Sequence, residues 1–352
     1  MYFLDSITLP SDLSTHAEII DVRSPSEFAI DHIPGSINIP VLNDEERVTV
    51  GTLYNESPFE ARKLGAGLIA ANASKALAGH FADKELNYNP LLYCWRGGMR
   101  SRSLTHILSS IGFKAYLLKG GYRSFRKFIV DDLNRILTET PMKLTVLSGL
   151  TGVGKTRMLH ALQKRGEQIL DLEGLANHKG SLLGSPQVGE QPSQKQFETR
   201  LWHTLQAHDP TKKVWTEAES NRIGNVHCPP VLWKKLSQSK LIELKLSITE
   251  RCILLREDYP HFCANPTALT ELLEVLKRLR GDKQVRQWQE QIANADWESF
   301  LQSILVDHYD LSYRKPTDKK SIYSAPLSEL TVESASLASY SASAEKLVNL
   351  SI

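Results

Sequence analysis

Residues 144–166 read "LTVLSGLTGVGKTRMLHALQKRG". The apolar run "LTVLS" is a buried-strand pattern, and the residues after Lys155 repeat apolar side chains at helical spacing. Between them Gly149, Gly154, Lys155 and Thr156 complete GxxxxGK[ST]. In that context the glycines let the loop backbone, through Thr151, Gly152 and Val153, wrap phosphates with its N–H groups. Lys155 reaches the outer phosphates and Thr156 offers a hydroxyl to Mg²⁺. Such a loop recognises a di- or triphosphate and not a nucleobase. A strand feeding a helix through it predicts a parallel, helix-covered α/β sheet.

Outward from the loop the same rhythm continues. "EQILDLEG" and "KKVWTEAES" are strand candidates, and their acids Asp171, Glu173, Glu217 and Glu219 are placed to orient a metal or stand at a strand end. Arg222, Arg251 and Arg256 are candidates to close over phosphates. "PSQKQFETRLWHTL" carries Ser193 and Gln196 at capping-box spacing, with Phe197, Leu201 and Leu205 on one face. Two further amphipathic helices are expected in "LTELLEVLKRL" and "WQEQIANADWESFLQSIL". The Ser- and Ala-rich end predicts a peripheral strand and helix joined by a mobile loop.

Upstream, "EIIDVRS", "SINIPV", "PLLYC" and "KAYLLKGGY" alternate with helical stretches such as "SRSLTHILSSIG", a second parallel α/β pattern. Pro141 lies in the polar break between the two. At 352 residues the chain has room for two domains. We therefore expect an N-terminal parallel-sheet domain over 1–138, a phosphate-loop α/β domain with a helical extension over 139–318, and a peripheral tail over 319–352. Charged residues make up 23% and the net charge is +2, so a nucleic-acid partner must show itself in local clusters. Four cysteines without CxxC or metal-ligand spacing predict a reduced, cytoplasmic protein with no metal cluster. No stretch is long and apolar enough for a membrane helix.

One cysteine stands apart. In "LLYCWRGGMRSR", Cys94 follows a strand and precedes a helix, with Arg96, Arg100 and Arg102 close by and Gly97-Gly98 permitting a tight turn. Cations and a helix N-terminus favour a thiolate, the nucleophilic form. The N–H groups of the loop, from Arg96 through Gly97, Gly98, Met99, Arg100 and Ser101, form a cradle for an anion. Cys228, Cys252 and Cys263 have no such surroundings. The alternative is a structural cysteine beside a basic turn.

"DVRSPSEFAIDHIPGSINIP" with "CWRGGMRS" resembles a rhodanese domain, the module whose loop cysteine carries a chalcogen. Its fusion to a P-loop domain resembles the tRNA 2-selenouridine synthase family. "VGTLYNE", "DLEGLANHKGSLLG", "EAESNRIGN" and "HYDLSYRK" fit that family, so the likeness covers about residues 15 to 315. It implies a rhodanese-like sheet followed by a P-loop NTPase-like domain. The implied activity replaces the sulfur of wobble 2-thiouridine in tRNA by selenium from selenophosphate. It also implies an S-geranyl-2-thiouridine intermediate made from geranyl diphosphate, which gives the P-loop a diphosphate ligand without ATP. Selenophosphate and geranyl diphosphate would be substrates, with no tightly bound cofactor and Mg²⁺ an option. Cys94 would receive or guide selenium, and a selenophosphate-producing enzyme becomes a candidate partner.

A tRNA anticodon needs a basic surface. Between residues 95 and 130 there are eight Lys or Arg and no acid, which nominates Lys119, Arg123, Arg126 and Lys127 for phosphates. "LKRLRGDKQVRQW" adds a second cluster with an aromatic residue for base stacking. Two other readings stay open: a thiosulfate-type sulfurtransferase with a regulatory NTPase domain, and a tRNA-binding module with a relic rhodanese domain.

Overall fold

The computed structural model describes residues 4–179, 189–311, 323 and 325–350. The chain divides into two compact units, Met1–Arg135 with Pro192–His203, and Ile136–Gln191 with Thr204–Ile352. Each is an α/β structure around a five-stranded parallel sheet.

In the first unit the strands are β1 (Ser6–Ile7), β2 (Ile19–Asp21), β3 (Ile37–Asn38), β4 (Leu91–Tyr93) and β5 (Tyr116–Leu118), in the order β1-β5-β4-β2-β3. All of β4 is buried, as expected for a central parallel strand covered on both faces. Beyond β2, Arg23 pairs with Asp21 at 2.6 Å and donates to the Asp31 carbonyl, so a buried guanidinium joins two loops. The helices are α1 (Pro25–Ile30), α2 (Asp44–Glu56), α3 (Pro58–Ala78), α4 (Met99–Ser110) and α5 (Gly121–Glu139). The long α3 is not visible as an amphipathic pattern because it buries small residues, Ala61, Gly65 and Ala73, around one Ile69.

The helix Gln194–Gln206 also belongs to this unit over most of its length, although the sequence places it in the middle of a contiguous second domain. Its Thr199 hydroxyl donates to Asp31, and the Trp202 indole N–H donates to Asp132 at 2.9 Å. Ser193 accepts from the Gln196 amide, as its capping spacing predicts. Its apolar face was legible; which core receives that face was not.

In the second unit the strands are β6 (Lys143–Ser148), β7 (Gln168–Leu170), β8 (Lys213–Glu217), a hairpin β9 (Arg222–Ile223) with β10 (Val226–His227), then β11 (Lys240–Lys245) and β12 (Ser328–Thr331). The main sheet runs β12-β11-β6-β8-β7. The phosphate-loop strand β6 is central, so the loop opens at the carboxyl edge of the sheet, where ligands of open α/β sheets bind. After it come α6 (Lys155–Gln163) and α7 (Leu172–Ala176). Trp215, Leu159, Leu147 and Leu244 fill the core.

Three expectations change here. The C-terminal segment is not peripheral: β12 completes the sheet, and the helix Leu337–Val348 buries Tyr340, Ala344 and Leu347 in the same core. Its Ser and Ala content marks close packing against α6, since small side chains let two helices approach. The connection between strand and helix is tied down too, with Val332 and Ala335 buried and the Ala335 amide donating to Glu250. Finally, "WQEQIANADWESFLQSIL" is two helices, Asp282–Ala293 and Trp297–Ile304, separated where Ala295 takes φ 56°. Residues 180–184 of "DLEGLANHKGSLLG" and 312–315 of "HYDLSYRK" lie outside the described residues. Among the described residues no helix is long and apolar enough to cross a membrane.

Candidate functional site

Each unit carries one candidate site at the carboxyl edge of its sheet. In the first, β4 delivers Cys94 to a turn that ends at the N-terminus of α4. The Gly98 amide donates to the Cys94 sulfur at 3.3 Å and the buried Ser101 hydroxyl does so at 3.1 Å. The sulfur, 3% exposed as a residue, thus meets two donors where the dipole of α4 is positive. The turn is held from below: the Tyr122 and Arg123 amides donate to the carbonyls of Cys94 and Trp95. Gly121, at φ 58°, permits this approach, since a Cβ there would lie 2.2 Å from the Cys94 carbonyl oxygen.

The loop's cations are not equivalent. Arg100 forms a two-pronged ion pair with Glu27, at 2.5 and 3.3 Å. Arg102 donates to the Gly97 carbonyl. Arg96 is exposed, without a side-chain partner among the described residues, and Met99 is exposed beside it. Arg96 is therefore the arginine left to meet an anion, while Arg100 and Arg102 shape the loop.

In the second unit Gly149–Thr156 joins β6 to α6. Gly154 takes φ 71° and packs so closely on Tyr340 that a Cβ would fall 2.3 Å from its hydroxyl oxygen. That hydroxyl donates to the Val153 carbonyl at 2.8 Å. From the other side, buried Arg251 pairs with Asp310 at 2.7 Å and donates to the Thr151 carbonyl. Arg251 is therefore a brace beneath the loop, not a phosphate clamp. Arg256 lies outside the cleft, and Arg222 lines it while donating to the Gly224 carbonyl of its own hairpin.

The loop faces a cleft of about 2240 Å³. Thr156 donates to Glu173 at 3.1 Å, the Glu173 amide donates to Glu217 at 2.9 Å, and Asp171 caps α7 through the Gly174 amide. Burial, reinforced by Glu173, raises Glu217 well above the carboxylate range and pushes Glu219 up to about 8. Among the described residues no three His, Cys, Asp or Glu form a metal cage. Magnesium commonly needs only one or two carboxylates beside the substrate's phosphates, and Thr156 with Glu173, both lining the cleft, fits that demand.

The basic clusters are sorted by their partners. Lys119, Arg123 and Lys127 are exposed, but Arg126 is engaged by Glu198 and the Lys195 carbonyl. In the second cluster Lys277 pairs with Glu274, Arg286 pairs with Asp282, and Arg280 donates to His308. Trp288 is fully buried, so no base can stack on it. Tyr340 was missed by the sequence reading, since nothing local ties it to a loop 186 residues earlier.

A cysteine loop on a rhodanese-type sheet and a phosphate loop on a β6-centred sheet define a two-domain group-transfer protein. Residues 9–128 match the rhodanese-like domain, and residues 142–328 match the tRNA 2-selenouridine synthase AAA domain. The tRNA 2-selenouridine synthase of Marinobacter nauticus is 33% identical over 84% of this chain and 87% of its own. That of Hydrogenovibrio crunogenus is 34% identical over 86% of this chain and 90% of its own. The chain belongs to the tRNA 2-selenouridine synthase family.

Proposed function

We propose that the chain converts wobble 2-thiouridine of tRNA to 2-selenouridine in two half-reactions, the first using geranyl diphosphate and the second selenophosphate. The coarse part, a tRNA-modifying enzyme that makes 2-selenouridine, rests on the family match across both units. That match is the observation that carries the reading.

In the first half-reaction the thiouridine sulfur attacks C1 of the geranyl group. An S–C bond forms, the C–O bond breaks, pyrophosphate leaves, and the N3 proton is lost to give a neutral S-geranyl base. The N–H groups of Gly149–Thr156 and Lys155 stabilise the departing diphosphate, with Mg²⁺ on Thr156 supplying further charge neutralisation when bound. No nucleotide is required, because the donor carries its own leaving group.

In the second, selenium of selenophosphate adds at C2 and geranylthiol departs; water then cleaves the Se–P bond to release phosphate. Selenium keeps its oxidation level throughout. A perselenide on Cys94 would consume a two-electron oxidant, so we assign Cys94 and its loop to guiding selenophosphate, with Arg96 and the α4 N-terminus facing the anion. The neutral donors Gly98 N–H and Ser101 O–H on the sulfur support that role.

Mass spectrometry of tRNA nucleosides tests both steps. Lys155→Ala is expected to lose geranylation, yet to convert pre-made geranylated tRNA when selenophosphate is supplied. Titration of the wild-type chain is expected to show pyrophosphate binding at least as well as ATP. A strict ATP requirement, with hydrolysis matched to turnover, overturns the prenyl-donor reading and restores an ordinary NTPase.

A further inference from the structure

The segment Pro192–His203 leaves the chain of the second sheet and packs into the first unit, and it brings a cation to the cysteine loop. Side-chain bonds seat it there. The Ser193 and Thr199 hydroxyls donate to the Ile30 carbonyl and the Asp31 carboxylate, and Arg126 donates to the Lys195 carbonyl. The Lys195 ammonium then lies 5.6 Å from the centre of the Trp95 ring. Lys195 is exposed, and Glu198, one turn further on, is already engaged by Arg126 and Gln194.

Trp95 is joined directly to Cys94 and is half-buried. Its ring packs on Tyr122 with 5.3 Å between centroids, while the Tyr122 and Arg123 amides hold the carbonyls of Cys94 and Trp95. The indole is therefore fixed relative to the cysteine turn. Arg96 follows it in the chain, and the Arg96 and Arg123 side chains are exposed. An aromatic ring among exposed cations is the arrangement that holds single-stranded nucleic acid, base on ring and phosphate on charge. Lys195 rests on that ring, so the two contacts compete. A cation–π contact at an exposed site favours its closed form by about 2- to 5-fold, whereas stacking a base on an aromatic ring is worth about 5- to 150-fold. A base therefore displaces the ammonium and frees it for a phosphate.

We propose that Trp95 and Lys195 form a nucleotide seat beside Cys94, in which the wobble base of the tRNA stacks on the indole and the displaced ammonium takes its phosphate. The inference rests on the reading of the Cys94 loop as the place where selenophosphate meets the base. Stacked there, the base presents C2 to an anion held on the loop amides. The inserted helix thus contributes a substrate contact to the unit it completes.

The test uses the full chain and anticodon stem-loop RNAs. With 5-iodouridine at the wobble position, long-wavelength irradiation joins the base to the aromatic ring it stacks on, and the cross-link is expected in the peptide that holds Trp95. With 2-thiouridine there, Trp95→Ala is expected to weaken binding about 5- to 150-fold without changing the slope of log K against log salt, and Trp95→Phe to keep most of the affinity. Lys195→Ala is expected to lower that slope by about 0.7, one single-stranded phosphate. A cross-link at another residue, or an unchanged slope in Lys195→Ala, overturns the seat. So does a Lys195→Ala chain in which inorganic phosphate no longer protects Cys94 from iodoacetamide as it does in wild type, since Lys195 then serves the donor anion. None of these measurements involves the selenium step. Full selenation by Cys94→Ala overturns the underlying reading of the loop, wherever the cross-link falls.

Discussion

Cys94 is distinguished less by its exposure than by what its sulfur touches. Two donors, the Gly98 amide and the Ser101 hydroxyl, fix it at the start of α4. Cys94→Ala removes the sulfur and little volume, so selenation should vanish while circular dichroism is unchanged and geranylated tRNA accumulates; full selenation in that variant sinks the assignment. Ser101→Ala removes one hydrogen bond of about 1 kcal/mol and should slow selenation roughly 5- to 10-fold. Cys228 is the contrast: burial pushes its thiol up to about 12. At pH 8 it stays protonated, and the reactive thiolate appears only as the pH approaches that value. Peptide mapping after iodoacetamide at pH 8 should therefore find Cys228 unmodified in the folded chain and modified in urea. At this scale the cysteine loop was readable from sequence, because Cys94, Gly98 and Ser101 lie within eight consecutive residues. The pairing of Arg126 was not legible because its partner Glu198 is 72 positions away, nor was the burial of Trp288, because burial is a tertiary property.

Elements explain why the phosphate loop keeps its shape before any ligand arrives. Strand β6 and helix α6 were legible as a motif, yet the motif does not reveal the two braces beneath it. One is the C-terminal helix, whose Tyr340 hydroxyl holds the Val153 carbonyl; the other is the Arg251–Asp310 pair holding Thr151. Composition hides the first, since a Ser- and Ala-rich helix shows little amphipathic contrast, and it hides the second because a buried arginine reads like any other. Tyr340→Phe keeps the ring and loses the hydrogen bond, leaving a carbonyl unpaired at a cost of about 1–3 kcal/mol. Pyrophosphate affinity should fall roughly 5- to 150-fold if that cost is paid in loop order, with only a small change in melting temperature. Gly154→Ala should abolish binding outright, because its Cβ collides with Tyr340 and disfavours φ 71°. Asp310→Ala strands a buried guanidinium, which costs about 3–5 kcal/mol, and should lower the unfolding midpoint in denaturant. If Tyr340→Phe binds pyrophosphate like wild type, the C-terminal helix is a covering element and not a brace.

For the molecule as a whole, a net charge of +2 is too small to attract tRNA uniformly, so affinity must come from a patch. The structure reduces the sequence's candidates to those with exposed charges, Lys119 just after β5 and Arg123 and Lys127 in the first two turns of α5, all within the acid-free window. Contacts from such side chains to phosphates set affinity and salt dependence rather than the choice of base. Each phosphate contact releases counterions and adds about 0.7 to 0.9 to the slope of log K against log salt. Reversing all three to Glu should therefore weaken tRNA binding and flatten that slope by about 2, measured by filter binding between 50 and 200 mM salt. Arg126→Gln is the control, because its charge is already met by Glu198: it should lower thermal stability while leaving the slope nearly unchanged. An unchanged slope in the triple variant would place the tRNA on another surface, and a slope that falls as far in Arg126→Gln would mean that the Glu198 pair opens when tRNA binds.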